Sequence, residues 1–179
     1  KDKLNLKTGI ISKITKKEII NNIEKYNLNG ADNTFYNIKY SGIDLAGNRY
    51  ILTSKEAVTS NENEAIVDMK EVKATFYFKD NTILDITSDT GIYNNLTLDM
   101  KFENKVFMTY NNNKLKADNA EYSNSGNYLL IKNNVKVNGD MGNISADKLF
   151  FDLKIQKLDI SSFNNNNINA NIKIDEKRF

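Results

Sequence analysis

The sequence predicts an all-β domain, and three observations support this. From Tyr36 onward, apolar residues alternate with polar ones, the period of a strand with one buried and one solvated face. Turns rich in Asn, Gly and Asp separate the alternating runs, and the chain has no proline to interrupt a sheet. The runs also recur at a regular spacing. The clearest of them cover residues 38–40, 50–52, 72–78, 84–86, 106–110, 135–137 and 168–174.

A repeat of about 29 residues runs through these strands. The small residues Ser54, Ser88, Ala117 and Ala146 follow one another at 34, 29 and 29 residues. An apolar residue stands two places before each of them, and another stands twelve places after. The five extra residues of the first unit fall around the turn at residues 79–81. Repeats of this length predict a stacked, elongated architecture, here with about 12–16 antiparallel strands.

The interior of such a stack has two possible forms. Small residues on one inner face, opposite aliphatic residues on the other, would leave a long apolar slot between two sheets. The same residues would equally suit a fully packed β-sandwich, in which small side chains let the sheets approach. Composition does not separate the two.

We expect residues 1–34 to form a separate leader and residues 35–179 to form the β domain. Thr15 and Glu18 match a capping box, and Ile19, Ile23 and Tyr26 follow at helical spacing, which predicts a short helix over about residues 16–27. Residues 1–30 carry seven Lys against three acidic residues, so the segment has a net charge of +4. It is either a basic amphipathic segment near an anionic membrane surface or a linker helix packed on its own domain. Since the chain starts with Lys rather than Met, we expect an upstream segment, such as a signal peptide or a membrane anchor.

Composition excludes several kinds of chemistry. The chain has 40% hydrophobic and 27% charged residues but no Cys and no His, so disulfides, thiolate metal sites and imidazole or Cys-His catalysis are absent. The net charge of the chain is +2, and since residues 1–30 carry +4, the remaining residues sum to −2. The predicted β domain therefore has no broad basic surface of the kind that binds nucleic acid. Thirty of the 179 residues are Asn, so a single Asn carries little weight as a functional signal.

A hydrolase would have to depend on Asp, Glu, Lys or Ser alone. Asp89, Asp118 and Asp147 each follow a small residue of the repeat, but strand alternation predicts that they face outward to solvent. A carbohydrate-acting enzyme would need converging carboxylates, and a calcium-binding repeat would need a Gly-rich nonapeptide. We therefore expect no enzyme activity, no metal and no cofactor. A structural adhesin built of β-repeats stays open as an alternative.

The motifs resemble one known family. Residues 37–57, with Gly42, Asp44, Gly47 and Tyr50, resemble the first hairpin of LptC-type proteins of lipopolysaccharide export. The segments 86–93, 115–122 and 144–151 resemble the Ala-Asp-x-Ala repeats of that superfamily. The resemblance as a whole extends over about residues 36–163. Ser54 and Ser88 stand where the family has Ala. Serine is also small, but its hydroxyl makes the groove slightly less apolar.

The resemblance implies a twisted, open β-jellyroll whose apolar interior shields the acyl chains of lipopolysaccharide. LptC-type proteins are periplasmic and are anchored in the inner membrane by one N-terminal helix. They receive lipid from the membrane subunits of an ABC transporter and pass it to an LptA-type bridge protein. The soluble bridge protein shares the repeats and is the alternative. The Gly42-x-Asp44 hairpin and the long leader favour the LptC type.

The resemblance and the strand phase together predict the site residues. The inward-facing residues predicted to line a lipid groove are Leu52, Ile66, Ile86, Met100, Phe102, Val106, Met108, Leu115, Leu129, Ile131, Val135 and Ile144. Open sheets leave unpaired edge strands, and these predict joints to partner proteins or to a second copy of the chain. The joint residues are Tyr36, Ile38 and Tyr40 in the first strand and Ile168, Ala170, Ile172 and Ile174 in the last. The Asn164–Asn167 run is either a hinge for that last strand or a plain loop.

Overall fold

A computed structural model describes residues 32–60, 63, 65–140, 142–154, 157–162 and 168–172. Within them the chain forms ten antiparallel strands and no helix, so the all-β prediction is confirmed. The predicted helix at residues 16–27, the Asn164–Asn167 run and Ile174 lie outside this part of the chain. The strands are β1 Asp32–Ile43, β2 Arg49–Ser60, β3 Ile66–Tyr77, β4 Ile83–Asn94, β5 Met100–Tyr110, β6 Asn113–Ser123, β7 Tyr128–Gly139, β8 Gly142–Asp152, β9 Lys157–Ser161 and β10 Asn169–Ile172.

The strands form one open sheet. From β1 to β8 each strand pairs with the next one along the chain. Both β9 and β10 then pair with β8, β9 through residues 148–152 and β10 through residues 142–145. Strand β1 therefore lies at one edge of the sheet, and β9 and β10 share the other.

The pairing is interrupted near the middle of the strands, and the interruptions line up across the sheet. Between β3 and β4, for example, pairing passes from Lys70 directly to Val72. Along this line, β1, β3, β5 and β7 contain residues with a positive φ, which is the left-handed backbone conformation. Asn adopts this conformation more readily than most residues do. The residues are Asn37, Glu71, Asn104, Lys105, Asn133 and Asn134. In the pairs from β4–β5 to β7–β8 the interruption also shifts the register, as a β-bulge does, and bulges bend a strand. We call the shared line of interruptions the bend.

The small residues of the repeat lie on the inner side of the bend. Ser54, Ser88, Ala117 and Ala146 are all buried, where the concave side of a bent strand has little room. The hydroxyls of Ser54 and Ser88 donate hydrogen bonds to the backbone carbonyls of the second residue on, at 2.9 and 2.7 Å. Both hydroxyls thus bind backbone carbonyl groups beside the point where strand pairing is interrupted.

Polar side chains pair along the outer side of the bend. Lys105 lies 2.8 Å from Asp89, and the Asn134 amide donates to Asp118 at 2.6 Å. Asp89 and Asp118 are exposed. Ion pairs this exposed contribute little to stability, so the bend depends mainly on its inner side.

The bend divides the sheet into two layers whose apolar faces meet. We call layer A the part that holds residues 38–54, 72–88, 106–117 and 135–146, and layer B the part that holds residues 56–70, 90–103, 119–132 and 148–161. The ring of Phe76 in layer A lies 4.9 Å from that of Tyr122 in layer B. The described chain has ten strands rather than 12–16 because β1 to β8, of 11 or 12 residues each, continue through the bend.

Candidate functional site

An apolar cavity of about 440 Å³ lies between the layers where β5 to β9 face one another. Layer A contributes Met108, Leu115, Val137 and Ile144 among others, and Leu129, Ile131, Leu149 and Phe151 come from layer B. The lining is completed by Phe78, Leu84, Tyr110, Asn113, Gly142, Leu153 and Leu158. Leu158 is 49% exposed, so the cavity reaches the surface beside β9. An apolar cavity of this size with few polar groups suits a hydrophobic ligand.

The other end of the interior is filled by aromatic side chains. The rings of Tyr40 and Tyr93 lie 5.1 Å apart, and the hydroxyls of Tyr50 and Tyr93 share a hydrogen bond of 3.1 Å. Tyr50 also packs on Phe76, with ring centroids 5.8 Å apart. We call this group, with Tyr122, the aromatic cluster. The interior is therefore a solid core at one end and a cavity at the other.

The structure divides the predicted lining residues between these two regions. Five of the twelve line the cavity: Met108, Leu115, Leu129, Ile131 and Ile144. Six others are almost completely buried in the packed core: Leu52, Ile86, Met100, Phe102, Val106 and Val135. Ile66 is half-buried and is not part of the cavity wall. Lipid contact by any of these residues stays a prediction.

Sequence reasoning missed several lining residues. Val137 and Tyr110 continue the alternation of their strands beyond the residues chosen, and Phe151 occupies the same place in the repeat as Tyr122. Alternation and the repeat could therefore have found them. Leu153 and Leu158 belong to the last part of the sheet, where the repeat pattern weakens and gives no clear signal.

The predicted joint residues lie on edge strands. In β1, Tyr36 is 41% exposed, while Ile38 and Tyr40 are half-buried against the core. At the opposite edge, Ile168 and Ala170 are exposed, and Ile172 pairs with Gly142 through its backbone.

The aromatic cluster keeps its phenols protonated. Burial raises the pKa of Tyr50 and of Tyr93 well above the usual range for tyrosine. Burial also raises the pKa of Tyr122, and the nearby negative charge of Asp44 adds to this effect. Ionising any of these phenols would place an unpaired charge between the layers.

The described residues contain neither a membrane-spanning helix nor a metal-binding cluster. No helix there is long and apolar enough to span a membrane. Within the same residues, no three acidic side chains converge as a metal site would require.

A bent sheet with an apolar cavity between its two layers defines a β-jellyroll suited to hydrophobic cargo. The family described as "Lipopolysaccharide-assembly, LptC-related" matches residues 7–164. The chain belongs to this LptC-related family, as its motifs predict. Membership of this family supports a role in lipopolysaccharide assembly.

A solved structure supports the fold. The chain is similar to the crystal structure of LptH, the LptA-homologous periplasmic component of the lipopolysaccharide transport device of Pseudomonas aeruginosa. The TM-score is 0.54 at 10% identity, over 70% of this chain and 95% of that one. The jellyroll prediction is thereby confirmed. No curated protein matches the sequence.

The raised phenol pKa values predict instability at high pH. A phenol that stays protonated in the fold but ionises in the unfolded chain contributes stability that is full below about pH 10 and is lost as pH rises. Each such tyrosine should lower the free energy of unfolding by at most about 1.4 kcal/mol per pH unit above that point. In urea denaturation across this pH range, Tyr50→Phe should make the decline shallower. Tyr36→Phe, at an exposed ring, is the matched control, and an unchanged slope in Tyr50→Phe would contradict the account.

Proposed function

We propose that this protein carries lipopolysaccharide acyl chains in the cavity between β5 and β9, without making or breaking a bond. The observation that supports this most is the cavity's lining, in which only Asn113 and Tyr110 bring polar side chains. Each methylene group removed from water gains about 0.8 kcal/mol, so such a surface lowers the barrier for a lipid to cross an aqueous compartment. Carrying acyl chains in this way requires no catalytic residue.

The cavity wall suits chains that differ in length and packing. Met108 lies in the wall beside Leu115, its partner on β6, and its flexible thioether side chain adapts to differently shaped neighbours. Leucine and isoleucine supply most of the remaining wall. The proposed cargo is therefore a set of acyl chains, recognised by hydrophobicity rather than by a polar pattern.

The two edges of the sheet suit a chain of carriers. We propose that β1 pairs with the membrane subunits of the inner-membrane transporter and that β10 pairs with an LptA-type bridge protein, both by β-strand addition. Among the described residues, β1 pairs only with β2 and β10 only with β8. The same edges could instead pair two copies of this chain in a homodimer. Partner-binding measurements distinguish such a homodimer from pairing with the transporter or the bridge protein. An N-terminal anchor in the inner membrane belongs to this proposal.

A photo-crosslinking side chain tests where the lipid lies. Placed at Leu129 or Leu115, in the cavity wall, it should capture lipid A when the transporter is supplied with ATP. At Met100, in the packed core, it should capture much less. Lys116, which follows Leu115 and is exposed on the outer face, is the matched control. Equal capture at Lys116 and Leu115, read by immunoblot for lipid A, would place the lipid outside the cavity.

A truncation tests the joint at β10. Removing residues 164–179 deletes β10 and leaves β1 to β9, so the β signal in far-UV circular dichroism should persist. Binding to the bridge protein, measured by pull-down, should be lost. Lipid capture at Leu129 in the truncated chain serves as the control for an intact cavity. Undiminished bridge binding would remove β10 from the proposed path.

A further inference from the structure

A buried carboxylate lies at the end of the interior opposite the cavity. Asp44, in the turn between β1 and β2, is 6% exposed. It accepts hydrogen bonds from the backbone N–H and the side-chain amide of Asn48, at 2.7 and 2.9 Å. A third bond comes from the hydroxyl of Tyr122, at 3.1 Å. The ion pairs within the described residues do not include Asp44.

A buried carboxylate held by hydrogen bonds alone is costly unless those bonds are kept. Two of the bonds are local and shape the turn, in which Gly47 has a φ of +84°. The bond from Tyr122 spans 78 residues and joins layer A to layer B. The turn itself is shaped by the two local bonds, so the bond from Tyr122 serves to hold the two layers together.

A second connection joins the same turns. The backbone N–H of Leu45 donates to the Asn124 side-chain oxygen at 2.9 Å. The Asn124 side-chain amide donates to the carbonyl of Thr97 at 3.0 Å, and its backbone N–H donates to Asp99 at 2.8 Å. Asn124 is buried and thus joins three turns, those before β2, β5 and β7.

The tyrosine that reaches Asp44 belongs to the aromatic cluster. The ring of Tyr122 lies 4.9 Å from Phe76, and its hydroxyl holds the carboxylate. Tyr50 fits directly over Gly42, where an added Cβ would come within 2.5 Å of the ring. Tyr122 therefore connects the Asp44 turn to the aromatic cluster.

We propose that Asp44, Tyr122 and Asn124 form a latch that joins the two layers and closes one end of the interior, so that the acyl-chain cavity is blind and loads only from the β9 side. Passage of a chain along the whole interior requires the latch to open. The inference rests on the proposed lipid-carrier function, and Asp44 acts in it as a positioning residue.

Amide hydrogen exchange tests the latch without any lipid. The Leu45 N–H should exchange slowly in the wild-type protein because it donates to Asn124. Tyr122→Phe, which deletes one hydroxyl, and Asp44→Asn, which replaces an acceptor with a donor, should each speed that exchange by about tenfold or more. Asp89→Asn, the same change in an exposed ion pair with Lys105, is the matched control. Wild-type exchange at the rate of an unstructured amide, or no change in Tyr122→Phe, would overturn the latch.

Chain length tests the closed end. In a dye-displacement assay with fatty acids of increasing length, wild-type affinity should rise about fourfold per methylene group, which is about 0.8 kcal/mol, and then level off. In Tyr122→Phe the plateau should move to longer chains, whereas Asp89→Asn should keep it in place. An unmoved plateau in Tyr122→Phe, or no plateau in the wild type, would contradict a blind cavity. Absence of any fatty-acid binding would count against the carrier function, while the exchange measurement would still decide whether the latch exists.

Discussion

The bend shared by strands β1 to β8 is the constraint on which the rest of the structure depends. A sheet with one apolar face must cover that face with another layer, and within the described residues the chain has no helix to provide one. The sheet instead bends and covers itself. Every strand has to bend at the same line, since one straight strand would keep its neighbours from closing. Small residues inside the bend and left-handed residues within it make this geometry possible.

Closing a bent sheet does not by itself decide whether its interior is solid. The residues that face inward at each position decide that. Around β1 to β4 the inward residues include large aromatic rings, which meet across the layers and fill the space. Around the cavity they are mostly aliphatic and of unequal size, and about 440 Å³ stays open. One sheet therefore provides a rigid end, where turns are joined by buried hydrogen bonds, and an adaptable end that suits cargo.

The sequence predicted the fold class and the repeat because both depend on local alternation. Ser54, Ser88, Ala117 and Ala146 do occupy equivalent positions, all at the bend, whereas the sequence left open whether they line a slot or let two packed sheets approach. The left-handed Asn residues of β5 and β7 were missed because thirty Asn in the chain hide the few that matter. The division of the interior was not predictable, since it depends on contacts such as that between Asp44 and Tyr122, 78 residues apart.

The central claim is that hydrophobic cargo lies between the layers at the β5–β9 end and nowhere else. A crystal structure of the protein with a bound lipid A-type glycolipid tests this most directly. The account predicts acyl-chain density between Leu115 and Leu129, with the Tyr50 ring still packed on Phe76. Acyl chains bound on the outer face of the sheet, with this cavity empty, would contradict it.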